Sequence, residues 1–350
     1  MISMEKLTTV ASQNMPNQPC WHEHAFRAMN TDVYLWLYSR NGALARYVEQ
    51  HFARFERSLS RFDRQSELAR LNRCPQAECS LSAELYAALE VAYWAAQATQ
   101  GIYDPALLPA LVQAGYDRSF ELIEEKASYQ VAPAITEACQ VQTARPSPYT
   151  FRDIHLDRLR RMIRRPPGLQ IDLGGMGKGW TVDRAADLLY QEGPFFINAG
   201  GDIYAHGFPG NRKGWEIELT NPLAPEQWLA RLYLANQALA TSTMTKRRWK
   251  KHGQLMHHLI DPRTGQPAKT DALSVTVIAE RTVLADVYAK VILILGVQAG
   301  LAYLQKLPNV EGLIYTSADQ IVCTAGFVAL LDTVAAGVTV QVAENDLLIN

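Results

Sequence analysis

Two glycine-dense turns bracket a short strand–helix–strand unit in the middle of this chain, and they limit what it can fold into. The first is Ile171-Asp172-Leu173-Gly174-Gly175-Met176-Gly177-Lys178-Gly179. The apolar run Leu169–Leu173 predicts a short strand leading into it, and residues 180–191 carry Val182, Ala185, Ala186 and Leu189 at helical spacing. Glycines let backbone amides crowd together, and a helix start leaves N–H groups unpaired, so such a turn suits an anion. Lys178 adds a full positive charge. The segment is not a Walker A loop, because Gly179 follows the lysine. The plainer alternative, a tight turn with a surface lysine, stays open at this point. The second turn, Asn198-Ala199-Gly200-Gly201-Asp202, reads as a hairpin between strands at 195–198 and 202–206. Two such loops sharing one small unit raise the prospect of a pyrophosphate between them.

Around this unit the pattern is α+β. A strand is expected over 26–38 and a helix over 43–61, with a short second helix over 66–72. Ser82 is placed to cap a third helix that Gly101 ends. Further strands are expected at 215–219 and 273–278, both alternating, with a mostly apolar helix at 285–295 and a final hairpin from 312–315 and 320–323. Strands follow strands through tight turns while the longer helices cluster early, so mixed or antiparallel sheets packed with helices are expected rather than regular βαβ alternation. Residues 1–22 read as a flexible lead-in and 121–150 as a polar excursion. No linker divides the rest, which gives one domain over 23–350.

Three further segments could carry chemistry. His257-His258-Leu259-Ile260-Asp261-Pro262-Arg263-Thr264-Gly265 joins a histidine pair to a strong turn signal. On a strand the two histidines point to opposite faces and would not chelate one metal together, although one could act as acid or base beside a phosphate. Asp286 and Lys290 lie four apart on a predicted helix, which makes either an ordinary ion pair or a carboxylate reserved for a hard cation. Ser60-Arg61-Phe62-Asp63 and Ala114-Gly115-Tyr116-Asp117 each read as turn and capping chemistry taken alone.

The bulk numbers exclude several classes. The 350 residues carry 34 basic and 35 acidic side chains, a net charge of −1, so no field selects nucleic acid as a partner. Five cysteines at scattered spacing, with no CxxC pair, argue for reduced thiols over a disulfide framework or a zinc site. No apolar run is long enough for a transmembrane segment, and the first residues lack the apolar core of a signal peptide. The expectation is a cytoplasmic protein; an exported one would need a leader not in this sequence.

In this order the segments resemble the FAD:protein FMN transferase family (ApbE-like). The stretches DLGGMGKGWTVDRA at 172–185, NAGGDI at 198–203 and HHLIDPRTGQPA at 257–268 carry the likeness, with SRFDRQSELARLN at 60–72 and YDPALLPALVQAGYDRSF at 103–120. The resemblance implies an α+β single domain, FAD as substrate and Mg²⁺ as helper. The implied reaction moves FMN from FAD onto a threonine or serine hydroxyl of a partner protein and releases AMP. By position, Lys178 with Gly174 and Gly175 would hold the pyrophosphate, and Asn198, Gly200, Gly201 and Asp202 would line the same cleft. Met29, Asp63, Tyr116 and Asp117, with Thr241 and Ser242, fall where the family contacts the flavin nucleotide. His258, Asp261 and Lys178 are the implied catalytic set. Asp286 and the carbonyl of Gly177 match metal ligands.

Three positions depart from the family pattern. Lys290 stands where a Thr or Ser hydroxyl would complete the metal site, and an ammonium has no lone pair to offer Mg²⁺. That argues against a standard magnesium site: Lys290 either replaces the metal's charge or points away. Thr243 stands in place of a glycine, where bulk would narrow the cleft, and Asn30 replaces the glycine of Met-Gly-Thr. The alternative functions are a flavin-binding module without catalysis, and an FAD pyrophosphatase giving FMN and AMP to water.

Overall fold

A nine-stranded sheet organises the molecule, and its strands lie side by side in the order in which they occur in the chain. They are β1 (Cys20–Ala28), β2 (Thr31–Ser39), β3 (Phe195–Ala199), β4 (Asp202–His206), β5 (Gln237–Thr243), β6 (Ala272–Ala279), β7 (Glu311–Thr316), β8 (Gln320–Cys323) and β9 (Thr339–Val342). Neighbours are antiparallel from β1 to β8, and β9 joins parallel to β8. The computed structural model describes residues 18–123 and 148–343. Residues 1–17 of the expected lead-in, most of the 121–150 excursion and Cys139 lie outside the described residues.

Each face of the sheet has its own cover. Along β2 and β3, Val33, Leu35, Leu37, Phe195 and Ile197 pack with α1 (Ala43–Leu59) and, further along the chain, with α5 (Gly177–Leu189). The alternate residues Trp36 and Phe196 turn to the opposite face. There they meet a second sheet formed by Trp215–Thr220, Trp228–Leu234 and Leu331–Val334. This is the period of two expected of strands, with both sides apolar. Strand β6 shows the consequence. All eight of its residues are buried, so the strand expected at 273–278 is present, but its two faces do not divide into inner and outer.

Between β2 and β3 the chain leaves the sheet to build α1, α2 (Glu67–Arg73), α3 (Ala83–Ala98), α4 (Leu108–Gln113) and α5. Ser66 caps α2 through Ala69 N at 2.9 Å and Ser82 caps α3 through Leu85 N at 3.1 Å. Later, α6 (Thr282–Leu295) lies against β5 and β6. After it come α7 (Val297–Leu304) and α8 (Ala325–Leu330). The architecture is the single α+β domain expected from the sequence.

Three local expectations are corrected. Residues 26–38 are not one strand: Met29 and Asn30 take left-handed φ of 52° and 58° and turn the chain, so that Ala28 pairs with Thr31. The first strand also begins at Cys20, inside the stretch read as lead-in. Leu169–Leu173, expected as a strand, joins no sheet. Its backbone is satisfied by other partners: Asn72 Oδ1 accepts from Ile171 N and Asn72 Nδ2 donates to Ile171 O, both at 2.8 Å, and Asp172 N donates to Pro105 O at 2.8 Å.

Candidate functional site

Helices α5 and α6 meet at their N-terminal ends, and glycine lets them do so. A Cβ on Gly179 would lie 2.8 Å from the carbonyl oxygen of Thr282, too close for any side chain. Asp183 of α5 then accepts from Thr282 N and Val283 N at 2.7 and 2.9 Å, capping α6 from a neighbouring helix. Burial pushes the Asp183 carboxyl up to about 6, against the pull of Arg281. This junction fixes Lys178 on one helix relative to Asp286 and Lys290 on the other. The Gly200-Gly201 hairpin brings Asp202 to the same place; Gly200 has φ +63°, and a Cβ there would strike the Thr31 hydroxyl.

Beside the junction lies a cavity of about 250 Å³. One side is charged. Lys178 and Lys290 line it, and each ammonium is paired with a carboxylate set behind it, Lys178 with Asp202 and Lys290 with Asp286. The carboxylates are almost wholly enclosed, at 3% exposure each, while the lysines keep 17% and 16%. Burial raises the Asp202 carboxyl, as does the neighbouring Asp286 charge, and Lys178 and Lys290 oppose the rise. Helix α5 starts at Gly177 without a side-chain cap; Gly177 N donates to Leu173 O at 2.7 Å, which leaves the Lys178 and Gly179 N–H groups as those an anion could meet.

The other side is aromatic and apolar, formed by Phe62, Leu107, Leu111, Tyr116 and Ile260. Trp249 backs Tyr116 at 5.4 Å between ring centroids and donates Nε1–H to Ala114 O at 2.8 Å. Arg61 ties the two sides together. Its Nε pairs with Asp172 at 2.7 Å, its Nη1 donates to Tyr116 O at 2.7 Å, and its guanidinium stands 4.1 and 4.6 Å from the Phe62 and Tyr116 ring centroids. Burial raises the Tyr116 hydroxyl, with Arg247 and Arg61 opposing.

Four buried polar atoms in this region have no hydrogen-bond partner among the described residues: Arg61 Nη2, Tyr103 Oη, His258 Nδ1 and Asp286 Oδ2. Unpaired buried polar groups cost about 1–3 kcal/mol each. Their concentration around one cavity marks a place built for a polar ligand. Burial holds His258 well below the usual histidine range, and Arg247, His257 and Lys290 add to this, so the ring is neutral and Nδ1 is open to a hydrogen bond from a ligand. Tyr103, fully enclosed near Asp172 and Asp286, is held well above the usual tyrosine range and stays protonated.

Of the residues singled out from the sequence, Met29, Tyr116, Gly174, Gly175, Gly177, Lys178 and His258 line the cavity together with Lys290. Asp202 and Asp286 stand one layer behind. The others serve local structure. Asn198 Oδ1 accepts from Gly201 N at 2.8 Å and shapes the hairpin. Asp63 Oδ1 accepts from Gln65 N at 2.8 Å, and Asp117 pairs with Arg118 at 2.9 Å, which holds its carboxyl below the usual range. Asp261 receives Arg263 Nη2 at 2.8 Å within its turn. Thr241 bonds Thr276, and Ser242 O accepts from Ser274, both inside the sheet. Thr243, expected to narrow the cleft, turns its hydroxyl to Leu273 O at 3.0 Å, away from the cavity lining. Sequence reasoning passed over Arg61, Tyr103, Asp172 and Arg247, which also line the cavity. Arg61, Tyr103 and Asp172 sit inside the quoted motifs, and that adjacency is the available signal.

The residues present do not fit the Mg²⁺ that the resemblance implies. Mg²⁺ needs a near-octahedral set of oxygens. Here Asp286 Oδ1 is taken by the Lys290 ammonium, whose charge would repel an ion on the free Oδ2, and the Gly177 carbonyl accepts from the Thr181 hydroxyl at 2.7 Å. Among the described residues no group of three or more His, Cys, Asp or Glu side chains could hold a metal ion.

The sequence matches the ApbE family over residues 29–314. It is 26% identical over 304 residues to a Klebsiella pneumoniae protein named FAD:protein FMN transferase, covering 85% of this chain and 90% of that one. A Treponema pallidum protein of the same name is 29% identical over 284 residues, covering 75% of this chain and 74% of its own. The fold is shared with the ApbE protein of Thermotoga maritima, at TM-score 0.76 and 24% identity over 90% of this chain and 100% of the other. It is shared too with the flavin transferase ApbE of Vibrio cholerae, at TM-score 0.71 and 19% identity over 90% of this chain and 100% of the other.

Proposed function

From the premise that this chain belongs to the ApbE family, we propose that it is an FAD:protein FMN transferase, moving FMN from FAD to a Thr or Ser hydroxyl of an acceptor protein and releasing AMP. The observation that carries this reading is the two-sided cavity, with Lys178 at the start of α5 and Lys290 from the middle of α6 on one side, and an arginine-bridged aromatic wall on the other. A flavin nucleotide has both characters: flat aromatic rings and a charged pyrophosphate.

The chemistry asked of the protein is placement and charge neutralisation. The acceptor oxygen attacks the FMN-side phosphorus as the bond to the AMP phosphate breaks. AMP departs with the bonding pair, and the hydroxyl proton must be taken up. Lys178, reaching from the first turn of α5, meets the developing negative charge. His258, neutral and with Nδ1 unpartnered, receives the proton. Tyr116 and Phe62 hold the flat end of the substrate by stacking, worth about 0.5–1.5 kcal/mol per aromatic pair beyond area burial.

The test is a titration of the full chain with FAD followed by flavin fluorescence, then AMP release with and without candidate acceptor proteins bearing an accessible Thr or Ser. Saturable FAD binding with acceptor-dependent AMP release supports the reading. AMP release at the same rate without acceptor would make water the acceptor. His258→Ala is expected to lower release by about 10²-fold; full activity in that variant removes the histidine from the mechanism.

A further inference from the structure

The Lys290–Asp286 pair stands on α6, four residues apart, so one turn of helix brings the ammonium over the carboxylate. An exposed pair of this kind would be unremarkable on a helix surface. This one is not on the surface: the carboxylate is 3% and the lysine side chain 16% exposed. The lysine stem passes close to the glycine turn, its Cδ 3.8 Å from where a Gly175 Cβ would lie. Its tip therefore enters the charged side of the cavity from the helix that faces Lys178. Asp286 Oδ2 is buried and has no partner among the described residues. A carboxylate of that sort needs a cation, and Lys290 is the one the chain supplies.

We propose that Lys290 is a tethered substitute for a divalent cation, so that this site binds and cleaves the FAD pyrophosphate without a metal ion. The inference rests on the transferase reading. It follows from two constraints that a metal would have to break. Lys290 donates hydrogen bonds and accepts none, so it cannot join a metal's ligand set. A divalent ion on the free Oδ2 of Asp286 would also sit beside an ammonium already seated on Oδ1, and the two cations would repel. The substitution changes the charge as well as the geometry. An aspartate carrying Mg²⁺ leaves a net charge of +1 beside the phosphates, whereas an aspartate carrying lysine leaves zero. Part of the deficit is met by Arg247, which lines the same cavity and forms no ion pair among the described residues. A fixed ammonium also needs no loading, so FAD affinity is set by the protein alone and not by the magnesium supply.

The experiment measures FAD affinity by flavin fluorescence, and AMP release in parallel, for the full chain and for Lys290→Met and Lys290→Thr. Each is measured in EDTA and in millimolar magnesium, with thermal melts to establish that each variant is folded. The wild-type FAD Kd is expected to agree between the two buffers within about twofold, and Lys290→Met to weaken binding roughly tenfold in both. Lys290→Thr, which supplies an oxygen and frees Asp286, is expected to be equally weak in EDTA and to recover about fivefold or more when magnesium is added. A wild-type protein whose binding or AMP release collapses in EDTA overturns the proposal while leaving the transferase reading intact. So does a folded Lys290→Met variant that binds FAD as tightly as wild type. Failure to bind FAD in either buffer overturns the functional reading itself, and this inference with it.

Discussion

The two sides of the cavity are built in opposite ways. The charged side is mounted on regular elements: Lys178 on α5, Asp202 on β4, and Asp286 and Lys290 on α6. The aromatic side comes mostly from connections between elements, with Phe62 between α1 and α2, Tyr116 after α4, and Ile260 in a two-residue strand beside a turn, while Leu111 sits on the short helix α4. The difference follows from what each interaction tolerates. A buried charge misplaced by an ångström loses its partner and leaves a desolvated ion, which costs several kcal/mol. A ring against a ring can shift by the same amount and keep most of its contact. Rigid elements are needed where error is expensive, and loops suffice elsewhere.

The contrast breaks first, if it breaks at all, at Lys178. Lys178→Met keeps the stem and removes the charge, both at the glycine turn and on the buried Asp202. AMP release is expected to fall by about 10²–10³-fold, measured in single turnover at saturating FAD. A loss below about fivefold would mean that the charged side tolerates error as the aromatic side does.

The next largest effect is on stability. His257 sits beside His258 but turns the other way, its Nε2 donating to Ala268 O at 3.0 Å behind the cavity. Burial depresses it to about 4 from an ordinary 6.5. Below pH 6.5 the unfolded chain therefore binds a proton that the folded one refuses. Stability is complete above that pH and is lost as pH falls towards 4, by roughly 3 kcal/mol from this ring. Urea melts from pH 7 to 4.5 should show a shallower acid slope in His257→Gln, with His51 and His258 supplying what remains. An unchanged slope would show that the ring carries its proton in the folded state.

The same division explains what the sequence disclosed. The charged side lies in continuous motifs, whose glycines, lysine, histidines and carboxylate are legible in the chain, and the family resemblance of those motifs implies Lys178, His258 and Asp286 as site residues. The aromatic side is distributed over 62, 107, 111, 116 and 260, and no local pattern tells a leucine that lines a cavity from one in a core. Arg61 was hidden for a related reason: its partners Asp172 and Tyr116 are distant in sequence. The false strand at 169–173 has the composition of a strand, and only the tertiary contact with Asn72 withdraws it from a ladder. Thr241 and Ser242 sat in a recognisable run, but side-chain direction depends on strand register, which pairing with β6 fixes.

A smaller effect is expected on the aromatic side. Tyr116→Ala removes a ring that packs against Trp249 and receives the Arg61 guanidinium. FAD affinity should weaken about tenfold, while AMP release at saturating FAD changes by less than about threefold. Equal losses in both quantities would show the ring acting in the chemical step, and the division between recognition and chemistry would fail.

The smallest effect is expected where the chain departs from its family on the rim instead of the charged side. Asn30 holds a left-handed φ of 58° in the β1–β2 turn, and its Nδ2 donates to the Ser119 hydroxyl at 2.9 Å. Asn30→Gly would relieve the backbone, since glycine takes that conformation freely. It would also forfeit an exposed hydrogen bond and give the unfolded chain more freedom, and these losses are of similar size. The terms nearly cancel, so melting should report a change within about 0.5 kcal/mol and FAD titration a change within about threefold. Lys290, like Asn30, is a single position where the resemblance implies a different residue. Its position on a helix beside a buried carboxylate gives it the larger expected effect. A tenfold loss of FAD affinity in Asn30→Gly would put the rim on a par with the charged side and show that the loops, too, place the substrate within narrow limits.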